Sequence, residues 1–149
     1  MTRTIAKVVL ASVLLVALIG ATVPASGGMR TRDRESMYQL TNEDRTDRGI
    51  RRVELHRRMS ELAREHSFAM ARRGDLFHTK DPAGTYLRGR NWRYWGENVG
   101  VGGTLASLQT AFMSSAPHRE NILNRRFADV AVGVARVEGR VWVTVFFYG

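Results

Sequence analysis

Two of the chain's four histidines stand where chemistry is possible. His78, in Phe77-His78-Thr79, and His118, in Pro117-His118-Arg119, each sit at the edge of an element beside an aromatic or proline anchor. Between them, Trp95-Gly96-Glu97-Asn98-Val99-Gly100 places a carboxylate between an aromatic and two permissive glycines, a setting that can hold Glu97 inward in a cleft. Two imidazoles and one carboxylate from separate segments suit a divalent ion, and zinc suits that mixture best. No His-x-x-x-His or similar short spacing fixes the geometry, so spacing alone leaves metal binding open. His66 lies on the apolar stripe of a helix and reads as a core histidine hydrogen-bonded to a backbone carbonyl. His56, among arginines, reads as a surface residue.

The same trio would serve a metal-dependent hydrolase with Glu97 as general base, but the metalloprotease helix motif is missing from the sequence. A serine route through Ser114 or Ser115 with His118 lacks the glycines of a nucleophile elbow. Glu120, the second acid that two-carboxylate glycoside hydrolysis would need, falls on the outer side of a short helix.

The elements that must position these residues follow from periodicity. A first helix is expected over Glu35 to Asp44, with Met37, Leu40 and Thr41 on one face and Asp47-Arg48-Gly49 ending it. Leu55, Met59, Leu62, Ala63, His66 and Met70 recur at three-and-four spacing, which predicts a second helix stopped by Gly74. Asp75 to Gly103 keeps no period and reads as a long structured loop, usually a functional feature in a compact domain. Thr104 caps a third helix facing inward through Leu105, Leu108, Ala111 and Phe112, and Pro117 restarts a short one through Leu123. Val130, Val132 and Val134, then a Glu138-Gly139 turn, then Val141, Val143, Val145 and Phe147 predict a hairpin. Trp142, Phe146 and Tyr148 make its other face apolar as well, so a layer is needed on each side. The reading is α+β, an αβα sandwich.

The 149 residues support one domain preceded by an export leader. Arg3 and Lys7 precede an apolar run from Val8 to Leu18, and Val23-Pro24-Ala25 supplies a small-residue site for cleavage after Ala25. An uncleaved anchor is the alternative, although the run is short for a span of about 20 residues. The expected division is leader 1–25, flexible lead-in 26–33 and domain 34–149, secreted or held in the cell envelope. There are no cysteines, so packing alone must hold an exported chain together. The net charge is +9, and of 23 basic residues only Lys7 and Lys80 are lysine. Such a field favours anionic partners, a cell-envelope surface among them. The arginines are interleaved with acids and no nucleic-acid reading motif accompanies them, so no specific nucleic-acid partner is expected.

Five segments, in order and at matching distances, carry a resemblance: 62–71, Phe77-His78-Thr79, Gly96-Glu97-Asn98-Val99, Ala116-Pro117-His118-Arg119-Glu120-Asn121-Ile122-Leu123, and 127–134. Over about Met37 to Tyr148 the chain resembles the CAP superfamily, the cysteine-rich secretory, antigen 5 and pathogenesis-related proteins, in its bacterial form. The resemblance implies a three-stranded antiparallel sheet between helical layers. It also implies a central cleft with two histidines and two acids that in some members binds zinc or another divalent ion. It assigns the histidines to His78 and His118 and the first acid to Glu97, with Asn98, Arg119, Asn121 and Ser115 supporting the cleft. The slot of the second acid falls near Ser115, so weak metal binding is expected. Asn98 is expected to satisfy backbone groups of the long loop. The function implied is a monomeric, non-enzymatic binding or signalling module for a metal or a small or lipidic ligand. A metal-dependent hydrolase and a cationic binder of anionic envelope polymers are the alternatives.

Overall fold

The computed structural model describes residues 26–149; the expected leader, and the choice between cleavage and anchoring, lie outside the described residues. The order is α1 (Ser26–Thr46), β1 (Glu54–Leu55), α2 (Arg57–Arg73), α3 (Pro82–Tyr86), β2 (Trp95–Gly102), α4 (Leu105–Ser114), α5 (Ala116–Leu123), β3 (Asp129–Val137) and β4 (Arg140–Tyr148). Among these residues the strands form one sheet in the order β1-β3-β4-β2. β2, β3 and β4 pair antiparallel, as expected, and the two-residue β1 adds a parallel edge on β3. The αβα expectation holds. Val141, Val143, Val145 and Phe147 pack with Leu108, Phe112 and Ile122 of α4 and α5 and Met37 of α1, while Phe146 and Tyr148 pack with Met59 and Ala63 of α2.

Each element follows from local chemistry. α2 starts at His56, whose imidazole Nδ1 accepts from the Met59 amide at 3.2 Å, and ends at Gly74 with φ of 65°. His56 is therefore a half-buried cap rather than a free surface residue. Thr104 caps α4 through a reciprocal bond with Ser107. The β3–β4 turn places Glu138 and Gly139 at φ of 50° and 72°, the left-handed pair that a two-residue hairpin requires.

Two expectations change. α1 runs back to Ser26, so 26–33 is helical rather than a flexible lead-in. The supposed loop from Asp75 to Gly103 contains α3 and the eight-residue strand β2. β2 was hidden because Gly96, Gly100 and Gly102 interrupt the hydrophobic alternation. The structure explains those glycines: a Cβ at Gly100 would lie 2.9 Å from the Phe112 ring, and one at Gly102 would lie 3.1 Å from Leu108. The glycines let α4 come down onto the edge of the sheet.

α2 approaches the other face as closely. A Cβ on Gly133 would overlap the backbone of Ala63 and Arg64, and where β1 has ended Ser60 Oγ accepts the Val132 amide at 3.0 Å. Gly133→Ala should lower the unfolding free energy by about 2 kcal/mol or more, because the obstacle is helix backbone. Gly103→Ala, with nothing within 4 Å, should change it by under about 0.5 kcal/mol. Urea midpoints of the two variants check the contrast.

Candidate functional site

Glu97 sits in the edge strand β2 opposite Phe146, facing the α2 side of the sheet. Its side chain is 1% exposed, yet both oxygens are satisfied. The Thr79 hydroxyl donates to Oε1 at 2.6 Å, while the Thr79 amide and His78 Nδ1 reach Oε2 at 2.9 Å each. A carboxylate held this way fixes the tautomer of its partner: His78 carries its proton on Nδ1 and offers Nε2 outward. The His78 side chain is 63% exposed. Glu97 thus orients His78, and with three donors on it and no access to solvent it is poorly placed to accept a substrate proton.

His118 approaches from the α5 side. Ser115 is both the C-cap of α4 and the N-cap residue of α5, and its hydroxyl contacts His118 Nδ1 at 2.8 Å. The imidazole also lies against the Phe112 ring, 5.0 Å between centroids. Burial lowers the His118 pKa, and the proximity of His78 opposes a second positive charge there, so the ring is neutral at neutral pH. Asn98, fully buried, donates to the His118 carbonyl at 3.0 Å, and Asn121 Nδ2 donates to Asn98 Oδ1 at 2.9 Å. The two asparagines clamp α5 to β2; Asn98 therefore serves the backbone of α5 rather than that of the preceding loop. Gly96 makes room for the clamp, since a Cβ there would collide with the Asn121 side chain. Arg119 lies outside the cleft: its guanidinium donates to the Met113 carbonyl at 2.9 Å and closes the end of α4.

Beneath Glu97 lies a polar layer that the sequence did not reveal. His66 Nδ1 meets the Thr144 hydroxyl at 3.0 Å, in place of the expected backbone carbonyl, and Ser67 Oγ donates to the same Thr144 oxygen at 2.9 Å. Phe77 stands edge-on to His66, 5.1 Å between centroids. Burial lowers the His66 pKa, with Glu97 opposing and His78 reinforcing that shift. Tyr86 stacks on Phe146 at 4.2 Å, and burial raises its phenol pKa. Thr79 and Thr144 could have been suspected only as the threonine beside His78 and the polar interruption in an apolar strand. Among the described residues no three His, Asp or Glu side chains gather closely enough to hold a metal ion unaided.

The αβα sandwich thus carries His78 on one side of β2 and His118 on the other, with an inward glutamate and an asparagine clamp between them. The profile of the CAP, or cysteine-rich secretory protein, family matches residues 38–147, and the chain belongs to that family. The uncharacterized protein YkwD of Bacillus subtilis is 28% identical over 118 residues, covering 75% of this chain and 46% of its own length. The chain thus spans about half of that relative. An extracellular protein of Bacillus anthracis containing an SCP domain has a TM-score of 0.68 at 23% identity, over 80% of this chain and 41% of that one. An outer surface protein of Borrelia burgdorferi has a TM-score of 0.69 at 15% identity, over 78% of this chain and 92% of that one. These likenesses support the fold. Among the described residues no helix is long and apolar enough to cross a membrane.

His66 and His118 both have folded-state pKa values below the ordinary histidine value. The unfolded chain therefore binds more protons than the folded one once pH falls below about 6.5. Stability from these groups is present above that pH and is lost as pH falls through the folded values. Urea midpoints should hold from pH 8 to 7 and decline toward pH 5. His66→Gln should flatten that decline; an unchanged slope would remove His66 as a contributor.

Proposed function

We propose that the chain is an exported CAP-domain binding module whose contact point is the His78 and His118 pair. Its ligand is a divalent metal, zinc by preference, or a small or lipidic molecule coordinating through the same imidazoles, without turnover. The observation carrying this reading is the hydrogen bond that His78 Nδ1 donates to Glu97, which leaves Nε2 free on a side chain that is largely exposed. A carboxylate behind a histidine fixes its tautomer and ring orientation, as in metal sites where the ligand is supported from behind. His118 adds a second neutral imidazole whose Nδ1 is already engaged by Ser115. Two imidazoles are a zinc-compatible donor set, but two protein ligands leave the remaining positions to water or a partner, so retention is weak. The hydrolase alternative loses ground because Glu97, its general base, is committed to Thr79 and His78.

Zinc titration calorimetry tests the reading. Binding should be measurable in the unaltered protein and absent in His78→Ala and His118→Ala. Glu97→Gln should weaken it by about 10- to 100-fold, because the ring is then no longer held by a charge. If both histidine variants bind as the unaltered protein does, the assignment fails. Zinc-dependent cleavage of a peptide library, abolished in Glu97→Gln, would establish the hydrolase instead.

A further inference from the structure

The segment from Arg88 to Trp95 reads Arg-Gly-Arg-Asn-Trp-Arg-Tyr-Trp, and every one of its residues is exposed. Three of the four large apolar side chains exposed among the described residues fall within it: Trp92 at 37%, Tyr94 at 42% and Trp95 at 43%. Isolated exposed apolar residues need no explanation, but three together, interleaved with Arg88, Arg90 and Arg93, do. From Pro82 to Gly96 there is no acidic residue. Arg126, from the segment before β3, adds a fourth cation 4.7 Å over the Tyr94 ring. Asp129 is within electrostatic reach of Arg90 and offsets part of its charge.

The segment is also held rigid. The Arg93 and Tyr94 amides donate to the Gly149 carbonyl at 2.8 and 3.0 Å, and the Gly149 amide returns a bond to Tyr94 at 3.1 Å. The Trp95 ring lies parallel to Phe146 at 6.0 Å, and Leu87 is buried at the other end. A surface already fixed pays little ordering entropy when it docks.

We propose that residues 88–95 form an interfacial docking surface for an anionic phospholipid bilayer. The arginines meet headgroup phosphates, and Trp92 and Tyr94 enter the headgroup layer, where amphipathic rings are favoured. The surface uses neither imidazole of the cleft and stands independently of the metal reading. Charge complementarity would also suit a soluble polyanion, but such a partner would engage the arginines and gain little from the exposed indole. The aromatic residues are what single out the bilayer.

The test is co-sedimentation of residues 26–149, which hold every described element of the fold, with vesicles of phosphatidylcholine alone or mixed with phosphatidylglycerol. Binding should require phosphatidylglycerol, weaken with salt and shift tryptophan emission to the blue. Each arginine near the surface contributes about five-fold, so Arg88→Gln with Arg93→Gln should weaken binding roughly 25-fold. The double change to lysine should retain it, which separates charge from folding. Trp92→Ser should weaken binding about ten-fold and remove most of the blue shift. Equal binding to phosphatidylcholine alone would overturn the proposal. So would a Trp92→Ser variant that binds as tightly as the unaltered protein, or heparin or an oligonucleotide binding more tightly than the vesicles.

Discussion

The packing of every layer on the α1 side depends on one buried cation. Arg45 is fully buried, and its hydrogen bonds run to backbone carbonyls: Nε to Arg51, Nη1 to Ile122 and Asn124, and Nη2 to Phe127. Burial lowers its pKa, and the nearby charges of Arg51 and Arg125 lower it further, yet a guanidinium remains charged throughout the pH range of a folded protein. Several partly negative carbonyl oxygens take the place of a carboxylate. The carbonyls come from the approach to β1, the end of α5 and the approach to β3, so a single side chain sets where three segments turn. In the same stretch of α1, Asn42 exchanges two bonds with the Val53 backbone. A chain without cysteines thus gains cross-links between distant segments, and they are indifferent to the redox state of its surroundings.

That scaffold explains why the site straddles a strand. β2 is the outer strand beyond β4, and its alternation sends Glu97 to the α2 face and Asn98 to the α5 face. The carboxylate orients one histidine; the amide holds the backbone of the other. Consecutive residues in one pleat therefore fix two imidazoles carried by different elements, and the glycines around them let α4 and α5 close on the strand. Changing the pairing register by one residue would exchange the two roles and bury neither partner properly.

Sequence patterning revealed the hairpin, the α2 stripe with its Gly74 stop and the Thr104 cap because each is a local signal with one physical reading. β2 was not legible as a strand, since its glycines serve a close approach by residues remote in the chain. Arg45 was equally hidden: an arginine near a helix end reads as solvated, and only the carbonyls of residues 122–127 reveal that it is buried. For the site, His78, Glu97 and His118 were legible as residue types, and the family resemblance supplied their pairing. Thr79 and Thr144 were not visible as partners because hydroxyls carry no pattern of their own, whereas Ser115 was singled out by its place in the family motif. Arg119 was placed in the cleft by its motif, whereas the turn of α5 sends it back to α4.

The topology also sets an order of events. α1 packs on β3 and α2 on both β3 and β4, while α4 and α5 close on β2, which is itself paired to β4. The contacts of α1 with β3, of β1 with β3 and of Arg45 with residues 122–127 all span long stretches of sequence. Until the hairpin exists, the N-terminal helices have an apolar face and nothing to put against it. Closing such distant contacts carries an entropic penalty that only the completed sheet repays. The layers of such a fold are coupled through the hairpin, so loosening β3 and β4 would uncover α1 and α2 together.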